Sequence, residues 1–375
     1  MARYYFACHP ADLLDEGVDD AFARLRGEIG VDGVVIDAVA PARLALRPRI
    51  AQSPKIASHE AAAWFQPDSK CYSATRLRPN AAKAIKARNA MAQLCNEAAS
   101  QGLAVRLRID PLENGVLTDR NATAACVDVF GRPHDSRLCP SNPDVREYVA
   151  SLVEDVSTNF VCESVELANV DFGAGLYARC DPVHGFDVSA MESMLLGWCF
   201  CSACRQRAAE RDVDVDETVS AVQAHLSRIF ELQPVEAASR FVEQNAHLAG
   251  YRRSRIETVT SLMKMIRRRA KRPLHLRASG DSLEAGFDCE AVADCCDGFV
   301  LAKPCGGKPP AMKMLTLEIA CHPPETADGP ALVSAVHDAS GGKYTSICFS
   351  EYGAAPEPCL EWVRQAIRFA RRESA

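Results

Sequence analysis

Cys199, Cys201 and Cys204, three cysteines within six residues of the run Leu195–Cys204, have types and spacing that could do chemistry. Cys201 and Cys204 form a CxxC knuckle whose two thiolates can converge on one soft metal ion. Cys199 reaches the same point if the backbone turns, and a tetrahedral zinc site then needs a fourth ligand. Cys180 and His184 are the nearest candidates for that ligand along the chain. A zinc ion held this way would be structural. The alternative is a reduced cysteine cluster packed beneath a loop, since no second CxxC knuckle stands at zinc-ribbon spacing.

The other residues able to do chemistry are carboxylates, and their meaning depends on the elements that carry them. Short β-rich runs recur at Tyr4–Cys8, Gly33–Val39, Ala104–Ile109, Ser164–Ala168, Leu274–Ala278, Gly298–Ala302, Leu315–Ala320 and Tyr344–Phe349. Helical patterns fit between most of them: Ala11–Ile29, Asn80–Gln101, Pro143–Thr158, Asp216–Lys271, Leu283–Cys295, Ala331–Ala339 and Cys359–Glu373. Pro234 should break the longest of these into two. Strands alternating with helices predict a parallel sheet, and eight of them predict an α/β fold, a (β/α)8 TIM barrel. A doubly wound open sheet is the alternative, but no Gly-rich phosphate fingerprint follows the first strand. The long segments 40–79, 110–142 and 169–215 all follow strands and precede helices, so they should gather at the C-terminal face as long strand-to-helix loops. No linker-like composition shift interrupts the chain, which reads as one domain over 1–375, with 172–215 as a loop insertion carrying the cysteine cluster.

Composition bounds the function. The chain has 375 residues, 48% hydrophobic and 25% charged, with a net charge of −6. That is ordinary globular usage, and no global positive field favours nucleic acid. The N-terminus lacks the apolar run of a signal peptide, and no stretch is long enough to span a bilayer. Seventeen cysteines, an odd number scattered through strands and helices, argue for free thiols in a reducing cytoplasm. The expected partner is a small molecule, with no nucleic acid and no membrane; the oligomeric state is left open.

In a barrel the catalytic residues sit at the C-terminal ends of strands. Those positions hold His9, Asp37, Asp110, Glu166 with Asn169 and Asp171, Arg277, Lys303, Glu318 with His322, and Glu351 with Tyr352. A mouth rich in carboxyl groups suits glycoside chemistry, in which one protonated acid serves the leaving oxygen and a second carboxylate attacks or activates water. Glu166 on the fourth strand and Glu318 on the seventh are the favoured pair, with Asp171 as the substitute acid. The competing reading is that these glutamates salt-bridge to Arg277 or Lys303 inside the barrel.

The segment Leu138-Cys139-Pro140-Ser141-Asn142-Pro143-Asp144-Val145-Arg146-Glu147-Tyr148-Val149 resembles one found in bacterial glycoside-hydrolase-like TIM-barrel proteins. There it leads into a helix, a strand bearing a glutamate, a His-Gly element and a cysteine-rich stretch, matched here by Glu166, His184-Gly185-Phe186 and Cys199 to Cys204. The closing Phe349-Ser350-Glu351-Tyr352-Gly353 also resembles that family's last strand. The resemblance, over roughly residues 100–370, implies a sugar-directed barrel and roles for Glu166 and His184. Two departures stand out: Asp187-Val188 follows the His-Gly element in place of a His-Glu pair, and the second strand ends in Asp37-Ala38-Val39 without a histidine. The leading expectation is a glycoside hydrolase acting on a small glycoside or oligosaccharide, with His9, Asp37, Asp110, His184, Arg277, Lys303, Glu351 and Tyr352 binding sugar. The alternatives are a metal-dependent sugar isomerase, epimerase or lyase, and a non-catalytic sugar-binding barrel.

Overall fold

The computed structural model describes residues 2–49, 55–85, 90–173, 188–278, 283–301 and 314–373. Eight parallel strands form its centre: β1 (Arg3–Cys8), β2 (Gly33–Ala40), β3 (Ala104–Ile109), β4 (Ser164–Ala168), β5 (Leu274–Ala278), β6 (Gly298–Leu301), β7 (Met314–Ala320) and β8 (Ser346–Ser350). Each lies beside its neighbours in sequence, and β1 pairs with both β2 and β8, which closes the ring. With helices such as Ala90–Ser100, Pro143–Asn159, Ala246–Arg269, Gly329–Ser340 and Glu357–Glu373 around it, the fold is a (β/α)8 TIM barrel. Strand bounds fall within two residues of those read from the sequence.

The helices depart more from expectation. Asn80–Gln101 does not begin as a helix, because Ala63 exchanges backbone hydrogen bonds with the 80–82 segment: Ala63 N–H donates to Asn80 O at 2.8 Å and Ala82 N–H to Ala63 O at 2.8 Å. The described helix of this region is Ala90–Ser100. The long region breaks where Pro234 stands, between Val215–Phe230 and Ala238–Gln244. It breaks again at Asn245, whose side chain accepts from the His247 and Leu248 N–H groups and starts the helix Ala246–Arg269.

Side chains alternate across each strand, and the two faces differ in kind. The outward residues Tyr4, Phe6, Val34 and Ile36 join the main apolar core between strands and helices. Inside the barrel, Tyr5, Ala7, Val35 and Cys348 form a small apolar cluster. Charged and polar groups occupy much of the remaining interior. At the N-terminal end Arg106 lies 3.9 Å from the Tyr5 ring centroid and donates to Glu163 at 3.0 Å and Thr316 at 2.9 Å. Gly33 leaves room for this plug, since a Cβ there would lie 2.6 Å from both the Tyr5 ring and Ala104 O. Arg108, Glu166, Arg277 and Glu318 continue the interior toward the C-terminal end.

The loops above that end are built as ribbons. Arg43–Leu46 pairs antiparallel with Ile56–His59, and Ala125–Val127 with Pro133–Leu138. Arg137 ties two of the long segments together, binding Glu113 at 2.9 Å and Asp171 at 3.0 Å. Among the described residues, no helix is long and apolar enough to cross a membrane, and the cysteines are free thiols.

Candidate active site

A cavity of about 790 Å³ opens at the C-terminal mouth, within the usual range of small-molecule sites. Asp37 from β2, Arg108 from β3, Arg277 from β5, Glu318 from β7 and Ser350 from β8 line its depth, with Asp110 and Glu351 just beyond strand ends. The ribbon Arg43–Leu46 and the prolines Pro41, Pro48, Pro323 and Pro356 border it as well. Leu44 and Leu46 stand 75% and 63% exposed on that border, so the cavity has a polar floor and an apolar rim.

Two arginines organise the floor. Arg277 grips Glu318 with both branches of its fork, Nε at 2.8 Å and Nη2 at 2.9 Å. Burial works against the charge on Glu318, but Arg108 and Arg277 outweigh it and hold the carboxyl below the usual glutamate range. Arg108 donates through Nε to Glu166 at 2.7 Å and stands 3.7 Å from Asp37. The Glu166 side chain is fully buried and does not border the cavity. Among the described residues it is linked to the cavity through Arg108. Arg108 Nη2 is buried with no hydrogen-bond partner among the described residues.

Asp37 is tuned the opposite way. Burial is the largest cause, Arg108 opposes it, and the negative charges of Glu351 and Glu166 reinforce it, so the pKa rises to about 7. One carboxyl at the mouth is thus half protonated near neutrality while another, Glu318, is held ionised. Environments that push two carboxyl pKa values apart distinguish acid from base in one site. Glu351 pairs with Arg43 at 3.0 Å and remains 41% exposed.

The structure brings together Asp37, Asp110, Arg277, Glu318, His322 and Glu351 from the residues expected at the mouth. It places others apart. His9 caps the helix Pro10–Glu16, accepting from the Ala11 N–H at 3.3 Å, and packs against His59 and Trp64. Asp171 is bound by Arg137 and by the Gly173 N–H at 2.8 Å. Tyr352 is buried, donates to Glu16 at 2.8 Å and lies under the Arg49 guanidinium. Cys180, His184 and Lys303 lie outside the described residues. Sequence reasoning missed Arg43, Arg108 and Ser350. The signal for Arg108 was present: in Ala104-Val105-Arg106-Leu107-Arg108-Ile109 both arginines fall on one face of the strand.

The cysteine run forms a second cluster. Cys199, Cys201 and Cys204 are joined by Cys139, all four buried and with sulfurs within 4.8 Å of one another, an arrangement that could hold a metal ion. Cys139 comes from the loop before the helix Pro143–Asn159, 60 residues before Cys199.

No family model matches the chain, and no curated protein matches it. Solved structures do. The chain is similar to α-L-fucosidase isoenzyme 2 from Paenibacillus thiaminolyticus (11% identity, TM-score 0.59, covering 100% of this chain and 50% of that one). It is also similar to the β-galactosidase from the psychrophilic Marinomonas ef1 (12%, 0.54, 98% and 59%). The PgaB (BpsB) glycoside hydrolase domain from Bordetella bronchiseptica is matched along almost its whole length (11%, 0.59, 98% and 99%). The chain spans half of the fucosidase and 59% of the β-galactosidase. At these identities the likeness is one of fold, a barrel that these glycosidases share.

Proposed function

We propose that the protein is a glycoside hydrolase acting on a small glycoside or oligosaccharide, with Asp37 as the proton donor and Glu318 as the ionised partner. The observation that carries this reading is the opposed tuning of two carboxyl groups in one cavity, Asp37 raised to about 7 and Glu318 lowered. Protonated Asp37 would give its proton to the leaving glycosidic oxygen, and Glu318 would stabilise or attack the anomeric carbon as positive charge develops there. Arg108 Nη2, Asp110, Arg277 and Glu351 would bind sugar hydroxyls. Glu166 would act through Arg108 as a positioning residue. The fold shared with glycosidases is consistent with this chemistry but does not choose a sugar.

Two guanidinium groups at the cavity floor disfavour a divalent cation there, which weakens the reading as a metal-dependent isomerase. The metal suited to the four thiols is a structural zinc, outside the reaction. Free thiols fit a cytoplasmic setting.

The test is turnover on a panel of glycosides as a function of pH. We expect kcat/KM to fall as pH rises through about 7, the point where the acid loses its proton. Asp37→Asn and Glu318→Gln should each lower kcat by about 10²–10⁴-fold, and Asp37→Asn should lose less on substrates with activated leaving groups. Sugar binding without turnover would leave a non-catalytic barrel. Turnover that requires an added divalent cation would favour the isomerase or lyase reading. An unchanged rate in Asp37→Asn would move the acid elsewhere, with Asp110 and Glu351, which also line the cavity, next in line.

A further inference from the structure

We infer that Cys139, Cys199, Cys201 and Cys204 hold one zinc ion as a closed tetrathiolate, with Arg146 as its buried counter-charge. The sulfur spacing is the first ground. Cys139 Sγ lies 3.4 Å from Cys204 Sγ, 3.5 Å from Cys201 Sγ and 3.7 Å from Cys199 Sγ. A disulfide would bring two of them to about 2.0 Å. Four sulfurs placed tetrahedrally at about 2.3 Å from one zinc ion are about 3.8 Å apart. The three distances from Cys139 lie just inside that value and every sulfur pair falls within 4.8 Å, so a single ion fits with small shifts.

The local backbone is arranged for thiolates. Cys201 precedes the helix Ser202–Ala209 and Cys204 lies in its first turn, which turns the knuckle onto one point. The Val127 N–H donates to Cys199 Sγ at 3.3 Å and the Ser141 N–H to Cys139 Sγ at 3.4 Å. Ser141 Oγ lies 3.2 Å from Cys204 Sγ. Such outer donors orient metal ligands and stabilise charge on them.

Charge is the independent ground. Arg146 is 8% exposed, and its guanidinium donates to Pro140 O at 3.2 Å, Thr258 O at 3.1 Å and Ser261 Oγ at 3.0 Å. Among the described residues no carboxylate pairs with it. A second guanidinium, Arg207, donates to Ser141 O at 3.4 Å on the same loop. A buried cation without an anion is costly. Zinc with four thiolates carries a net charge of −2 beside Cys139-Pro140-Ser141, which supplies the missing anion. Binding replaces four thiol protons with the ion, with no change of oxidation state. All four sulfurs come from buried residues, so the site leaves no position for substrate and ties the loop after β3 to the loop after β4. A fifth thiol, Cys126, interacts with Cys139 and Cys199 but is not one of the four. The inference does not depend on what the barrel mouth does.

The test uses the full chain produced with added zinc, assayed for metal content and by X-ray absorption at the zinc edge. One zinc per chain with four sulfur neighbours at about 2.3 Å is the expected result. A nitrogen or oxygen in that shell, or no zinc retained after reconstitution, overturns it. Cobalt substitution should give the intense visible bands of a tetrahedral tetrathiolate; Cys139→Ser should weaken them and Cys126→Ser should not. Arg146→Met should lower zinc affinity about 10–100-fold, the usual scale for outer-shell partners, with partial rescue in Arg146→Lys. Cys139→Ser binding as tightly as the parent would exclude Cys139 as a ligand. Should Cys139→Ser fail to fold, the absorption measurement on the unaltered chain decides.

Discussion

Arg108 joins three acidic groups that would otherwise repel one another inside the barrel. It donates to Glu166, stands beside Asp37 and helps keep Glu318 ionised. Its side chain is 11% exposed and that of Glu166 fully buried, so water screens their pairing weakly. Removing one partner of such a pair leaves the other charged and buried, which costs about 3–5 kcal/mol. Arg108→Met should therefore lower the unfolding free energy by about that amount in urea titration. Adding Glu166→Leu should recover most of the loss, because the orphaned charge disappears with it. A single variant within about 1 kcal/mol of the parent, the scale of an exposed pair, would show that Glu166 is not held by Arg108. The same variant should also raise the Asp37 pKa further, because Arg108 is the charge that opposes burial there, leaving the acid protonated to higher pH.

The helix Pro143–Asn159 shows how an element's start can be read without any knowledge of its surroundings. Asn142 accepts from the Asp144 N–H at 2.9 Å and the Val145 N–H at 3.3 Å, and Pro143 occupies the first helical position. Asn142→Ala should cost about 1 kcal/mol, seen as a lower denaturation midpoint with unchanged slope; no loss would mean that the cap is replaced by water. The strands were legible for a similar reason, since buried parallel strands are continuous apolar runs bounded by breakers. What escaped was set by contacts distant in sequence. Cys139 joins Cys199, Cys201 and Cys204 because two loops meet above the barrel, which proximity along the chain does not reveal; Cys180 and His184, the neighbours along the chain, lie outside the described residues. His9, Asp171 and Tyr352 all follow strand ends, but the turn after each strand decides the direction of the side chain. His9 turns under the ribbon at His59, Asp171 to Arg137, and Tyr352 to Glu16. Within strands alternation alone sets the face, which puts Glu166 inside the barrel and would have put the missed Arg108 there too.

At the scale of the whole molecule, a charged barrel interior makes folding stability depend on pH in a direction that Asp37 sets. Its carboxyl titrates near 3.8 when unperturbed and at about 7 in the folded protein. Burial is the main cause, partly offset by Arg108 and reinforced by Glu351. A raised folded pKa means that the folded chain holds this proton more tightly than the unfolded chain. The contribution of Asp37 is therefore fully present below the unfolded value, declines as pH rises toward 7, and is lost above it. Glu318, lowered by its arginines, works in the opposite sense and loses its contribution only as pH falls through its depressed range. The two effects overlap in the parent, so the informative quantity is the difference between parent and Asp37→Asn. That difference should favour the parent most at low pH and shift toward the variant by a few kcal/mol between pH about 4 and 7, then level off. Urea titrations of both proteins at several pH values measure it. A difference that stays flat across this window would mean that Asp37 titrates normally, and the proton donor proposed for the cavity would be lost with it.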